Sequence, residues 1–224
     1  TVLKSKSNFS FNQEAIMKKI GVVGSTGYTG MELVRLLTQH PDVSIDHLFA
    51  FSQVGTSVRS VFPLFDVLPE TFEVFDPAQN WEHLDVLFLA IPHGTSHLFM
   101  KQLVNQDVKV IDLSADFRLT DPVLFKQYYG QDHGFSEGLS LAPYGLPELY
   151  ENDIAKASIC ANPGCYATAV ILGLYPLLHT SMAIRSVVVD AKSGVSGAGK
   201  ALKETSLFCE VNEHFSAYGT GQHR

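Results

Sequence analysis

Seven residues near the start, Gly24-Ser25-Thr26-Gly27-Tyr28-Thr29-Gly30, set three glycines at G-x-x-G-x-x-G spacing between an apolar run and an amphipathic one. Residues 18–23 end in two valines and a glycine turn, and residues 31–39 bring Leu33, Val34, Leu36 and Leu37 to helical spacing. The pattern is strand, tight turn, helix. Glycine in such a turn lets backbone N–H groups approach a pyrophosphate at the positive end of the helix. A bare strand–helix turn has the same look, but its place at the first such junction of an α/β chain favours a dinucleotide. Gly24, Ser25, Thr26, Gly27, Tyr28 and Thr29 are therefore candidate cofactor contacts.

The rest of the first 160 residues repeats this grammar. Residues 43–51 follow the turn signal His40-Pro41-Asp42 and complete a βαβ unit, and residues 85–91 and 108–113 read as buried strands with a helix over 95–104 between them. Residues 158–162 make a last strand. Alternating strands and helices predict an α/β fold, a Rossmann-type doubly wound parallel sheet. Residues 122–147, rich in Tyr, Gly and Pro with little periodicity, read as a long ordered loop. Residues 167–178 are apolar at helical spacing and 185–191 are strand-like, opening a second unit. The expected organisation is a leader or tag over 1–16, ahead of Met17, a nucleotide-binding domain over 17–162, and the start of a catalytic domain over 163–224. The Ser and Lys content of the leader would also suit the end of a transit peptide, the lesser of the two readings.

Composition closes off several classes. With 46% hydrophobic and 17% charged residues, the 224-residue chain has ample material for a core and is not a disordered sequence. No apolar stretch approaches the ~20 residues of a membrane span. Sixteen basic against 23 acidic residues give a net charge of −7 with no basic cluster, which argues against a nucleic-acid partner. Three cysteines without a C-x-x-C pair indicate neither a disulfide framework nor a metal site, and they suit a reducing, cytoplasmic setting.

Three further stretches carry chemistry. The end of the second strand, Phe49-Ala50-Phe51-Ser52-Gln53, lacks the acid that would bond a ribose 2′-hydroxyl. Ser52, with Arg59 shortly after, suits a 2′-phosphate instead, so NADP(H) is the expected cofactor. In Asn162-Pro163-Gly164-Cys165-Tyr166-Ala167-Thr168 a cysteine enters the first turn of an apolar helix, where unsatisfied N–H groups favour a thiolate. The run Ser193-Gly194-Val195-Ser196-Gly197-Ala198-Gly199-Lys200 is a candidate cradle for the cofactor through Ser193, Gly194 and Gly197. It is not a Walker A loop, because Ala201 stands where Ser or Thr is needed, and taken alone it is equally a flexible turn. The last residues place His223 in a Gly-rich stretch, where it is either an acid–base partner or a solvated terminal histidine.

Taken together, G-S-T-G-Y-T-G-x-E-L-V-R-L-L, A-N-P-G-C-Y-A-T-A, S-G-V-S-G-A-G-K and C-E-V-N resemble the N-acetyl-gamma-glutamyl-phosphate reductases, the arginine-biosynthesis branch of the aspartate-semialdehyde dehydrogenase superfamily. The stretches at 89–94, 112–119 and 144–148 add to the resemblance, which runs from about residue 18 to 224. It implies NADPH-dependent reduction of an acyl phosphate to an aldehyde by a homodimer or homotetramer. It also implies a Rossmann domain joined to a second α/β (α+β) domain for catalysis and dimerisation, incomplete here against a family length well over 300 residues. Carried over by position, Cys165 matches the nucleophile and His223 the acid–base histidine. Pro92 joins the cofactor contacts, and Arg118, Glu210 and Tyr218 fall at substrate positions. Two relatives of the same superfamily compete, aspartate-semialdehyde dehydrogenase and the lysine-pathway acyl-phosphate reductase. A non-catalytic NADP-binding module is the alternative from another class.

Overall fold

The structure is a computed structural model and describes residues 17–218. Five parallel strands form one sheet: β1 (Lys18–Val23), β2 (Val43–Phe49), β3 (Val86–Leu89), β4 (Lys109–Asp112) and β5 (Ile159–Ala161), in the order β2-β1-β3-β4-β5. The chain leaves β1 for one edge and returns to build toward the other. The reversal between β1 and β3 leaves a crevice at their carboxyl ends, where ligands of open α/β sheets bind.

Alternation along the strands builds a core on each face. Val23, Leu87 and Leu89 face a layer holding Met100 and Leu103 of α2 (Ser96–Leu103) and the large rings of Phe49 and Trp81. Ile20, Val22, Ile45 and Leu48 face Val34 of α1 (Tyr28–Leu37), with Val86 and Phe88 packed alongside. Leu87, Leu89, Val22 and Leu48 are fully buried. Each such side chain contributes roughly 1.5–3 kcal/mol of hydrophobic stabilisation. The connection from β2 to β3 contains only a 3₁₀ turn at Val58–Ser60 and two isolated bridges, Phe49 with Glu73 and Ser57 with Thr71.

Two expectations need correction. Residues 122–147 are not one long loop: α3 (Pro122–Tyr129) starts at Asp121, whose carboxylate accepts from the Val123 N–H at 2.7 Å, and stops at Gly130 with φ +73°. A 3₁₀ helix follows at Ser136–Leu141, and α4 (Pro147–Lys156) leads into β5. The strand expected at 185–191 is absent. These residues are exposed and have no sheet neighbour among the described residues to take up their N–H and C=O groups. Among the described residues of the later part of the chain, only α5 (Cys165–Leu178) and the short α6 (Phe208–Val211) are α-helical. Among the described residues no helix is long and apolar enough to cross a membrane.

Candidate active site

The three glycines of the first turn serve different ends. Gly24 has φ +79°, and a Cβ there would lie 2.2 Å from the Ala90 carbonyl oxygen. A Cβ on Gly30 would lie 2.3 Å from the Gly24 carbonyl oxygen. Both are demanded by the fold. Gly27, at the N-cap of α1 with φ −74°, would meet only the Gly24 oxygen at 3.5 Å, so the protein's own packing does not require glycine there. What glycine leaves open at Gly27 is space over the uncapped N-terminus of α1, which suits the close approach of a pyrophosphate. Ser25 is turned inward instead: its hydroxyl donates to the Phe49 carbonyl at 2.9 Å and is fully buried.

A cleft of about 1580 Å³ opens over this turn at the carboxyl ends of β1 and β3. Of the expected cofactor contacts it collects Gly24, Thr26, Gly27, Tyr28, Thr29, Ser52, Pro92, Ser193 and Gly197, and beside them Arg118, Cys165 and Tyr218. It does not collect Ser25, Arg59, Gly194 or Glu210. The Arg59 guanidinium is paired with Asp66 at 2.8 Å on an exposed surface. His223 lies outside the described residues.

Cys165 is the first residue of α5, whose N-cap Gly164 (φ −71°, ψ 155°) has nearly the backbone geometry of Gly27 (φ −74°, ψ 162°). Two helix N-termini without side-chain caps therefore meet one cleft. Beside Gly164 lies Arg118, anchored by its Nε donating to the Asn162 carbonyl at 2.7 Å and its Nη2 to the Leu113 carbonyl at 2.9 Å. Neutral carbonyls hold it, so its positive charge remains for an anion in the cleft. The three cysteines differ sharply. Burial, reinforced by the charge of Asp112, pushes the Cys160 thiol up. Cys209 sits in α6 away from the cleft, while Cys165 is exposed on it.

Several cleft residues were not among the individually expected contacts: His93, Tyr129, Tyr144, Tyr166 and, though it ends the expected cradle run, Lys200. Burial raises the Tyr144 hydroxyl above the usual phenol range, with the Arg118 charge opposing. The Ala115 N–H donates to His93 Nδ1 at 3.0 Å, which fixes the ring over the β3–α2 turn. That turn is pinned from below by the buried Asp116, which accepts from the Gly94 N–H at 2.7 Å and contacts His97 Nδ1 at 3.0 Å. Lys200 Nζ donates to the Thr26 carbonyl at 3.2 Å, and the Tyr218 hydroxyl to that of Tyr166 at 2.9 Å. The lysine at the end of S-G-A-G-K and the tyrosine after P-G-C were the available signals. For His93 and the two loop tyrosines, only folding assembles the site.

Comparison with known proteins agrees with this layout. Residues 19–157 match the family model for the NAD binding domain of semialdehyde dehydrogenases, and residues 165–224 match the semialdehyde dehydrogenase dimerisation domain. N-acetyl-gamma-glutamyl-phosphate reductase from Clostridium novyi is 47% identical over 211 residues, 93% of this chain and 61% of that protein. The enzyme of the same name from Alkaliphilus metalliredigens is 45% identical over 210 residues, with the same coverage. The chain thus spans about three fifths of the length of these relatives. The crystal structure of aspartate semialdehyde dehydrogenase with NADP from Candida albicans superposes with a TM-score of 0.51 at 19% identity, over 72% of this chain and 47% of that one, a likeness of fold. With a turn, a parallel sheet and a cysteine-bearing helix arranged in this way and a family model covering most of the sheet domain, the chain belongs to the semialdehyde dehydrogenase family.

Proposed function

We propose that the chain carries the cofactor cradle and the nucleophile of an NADPH-dependent acyl-phosphate reductase that converts N-acetyl-glutamyl 5-phosphate to N-acetyl-glutamate 5-semialdehyde and phosphate. The observation that carries this reading is the opening of Cys165 and the Gly24–Gly30 turn onto one cleft. The cofactor, when bound, supplies hydride to the acyl carbon.

The chain's own residues do the rest. The Cys165 thiolate attacks the acyl carbonyl, and phosphate leaves as the thioester forms. N–H groups in the uncapped first turn of α5 are placed to receive the oxyanion, and Arg118 to hold an anionic group of the substrate. After reduction, the thiohemiacetal loses its hydroxyl proton as the C–S bond breaks, releasing aldehyde and thiolate. That acid–base role is assigned to His223 on the family resemblance. Ser52 lies in the cleft at the end of β2, where no acid stands, which favours the 2′-phosphate of NADPH. A homo-oligomer fits the match to a dimerisation domain and the apolar α5, none of whose residues is buried.

The test is NADP⁺ reduction in the presence of phosphate with each candidate aldehyde. N-acetyl-glutamate semialdehyde should be oxidised and aspartate semialdehyde not, and Cys165→Ser should abolish the reaction. Preference for aspartate semialdehyde, or an active Cys165→Ser protein, would overturn the proposal.

A further inference from the structure

The sheet holds a second constellation that the cleft does not use. His47, in β2, is held on three sides. Its Nδ1 meets both Glu73 carboxylate oxygens at 2.9 and 3.1 Å. Its ring lies parallel to Phe49, with centroids 5.6 Å apart, and edge-on to Trp81 at the same separation. Trp81 is in turn fixed by its indole N–H donating to the Asp76 carbonyl at 2.8 Å. The remaining nitrogen, His47 Nε2, points at Nε2 of the exposed His83, 3.2 Å away.

A carboxylate on Nδ1 fixes the tautomer with the proton on that side and leaves Nε2 as a lone pair, the arrangement that prepares histidine for metal ligation. Two imidazole nitrogens on a tetrahedral zinc ion, each at about 2.0–2.1 Å, stand about 3.3 Å apart. The observed spacing matches. A polar recess of about 290 Å³ beside His83 is lined by Glu82, Asp85, Asp107 and Lys109; Asp85 is paired with Lys18 at 2.7 Å, which leaves Glu82 and Asp107 as its carboxylates outside that pair.

We propose that His47 and His83 form a two-nitrogen site for a borderline transition-metal dication such as Zn²⁺, with Glu73 orienting the His47 ring. No group of three or more metal-binding side chains occurs among the described residues, so water completes the coordination sphere. Binding displaces the proton that His83 Nε2 otherwise shares with His47; the exposed ring turns to its other tautomer, with Nδ1–H in solvent. The ion ties edge strand β2 to the connection that enters β3. Residues 36 apart in sequence are thereby joined in a stretch that contains no α-helix, which is why no motif signalled the site.

The test uses the chain freed of metal with EDTA and with its cysteines alkylated by iodoacetamide, since thiols would compete. Calorimetric titration with Zn²⁺ should show one equivalent whose affinity falls at least tenfold in both His83→Ala and His47→Gln, and about tenfold in Glu73→Gln. The ¹⁵N resonances of Nε2 in His47 and His83 should shift together on zinc addition, while NADPH affinity stays as it was. Unchanged stoichiometry and affinity in His83→Ala, an exposed position whose loss does not threaten folding, would overturn the proposal. Loss confined to one of the two histidine variants, or unshifted Nε2 resonances, would do the same.

Discussion

Up to Ala161 the apolar runs find partners within the chain, and after Pro163 no described residue is buried. The contrast is sharpest between α2 and α5. Ser96, His97, Met100 and Leu103 of α2 are buried against the sheet, yet α5, richer in apolar side chains through Val170, Ile171, Leu172, Leu174 and Leu177, buries none. The sheet domain generates both its stability and the nucleotide side of the cleft. The nucleophile's helix starts on that domain, at the end of β5, and then runs into a region whose apolar side chains are half-buried or exposed among the described residues.

Stability should divide along the same line. Leu87→Ala should cost about 2–5 kcal/mol in urea unfolding, through lost burial and a cavity beneath the sheet. Leu178→Ala, at 64% exposure, should stay within about 0.5 kcal/mol. Equal losses would erase the distinction between the two regions.

Next in size is a pH effect confined to the sheet domain. Asp112 is fully buried, and burial pushes its carboxyl up to about 6, with hydrogen bonds from Ser96 and Ser114 opposing and the charge of Asp116 adding to the rise. The folded value exceeds the unfolded one, so the folded state holds this proton more tightly. Its contribution is most favourable below about pH 4 and is lost as pH rises through about 6. Relative to Asp112→Asn, the wild-type protein should lose on the order of 3 kcal/mol across that window. A pH-independent difference between the two would show that Asp112 does not titrate there.

Smaller still are effects on binding. Gly27→Ala should leave the unfolding midpoint where it is and weaken NADPH about tenfold, because the added methyl enters space left for the ligand. A drop in the midpoint with unchanged affinity would make Gly27 a folding residue like Gly24. Least of all, Arg59→Ala should change NADPH affinity less than twofold, since Arg59 is held by Asp66 outside the cleft. A tenfold loss would return it to the cofactor contacts.

How far the sequence spoke follows from where the physics is local. Strand β1 and the Gly24–Gly30 turn are legible because burial on both faces and positive φ leave few residue choices. Helix α3 was hidden although Asp121, Pro122 and Gly130 mark its ends, because Phe125 is its only buried residue and leaves almost no periodic signal. The run at 185–191 has strand composition, but a strand exists only beside a neighbour. At the site, Cys165 was readable from its glycine-capped helix. His93, Tyr129 and Tyr144 enter from separate elements and become neighbours only in the fold. Arg59 misled because a guanidinium's direction is set by its partner, here Asp66, and sequence position does not reveal it.

The central claim, that Cys165 becomes acylated beside the nucleotide cradle, is tested most directly by omitting phosphate. N-acetyl-glutamate semialdehyde and NADP⁺ should then give a single burst of NADPH and a trapped thioester. Peptide mass mapping of the acid-quenched protein should place the acyl group on Cys165 alone, with nothing on Cys160 or Cys209. Acylation of either other cysteine, or a burst that survives Cys165→Ser, would contradict the account.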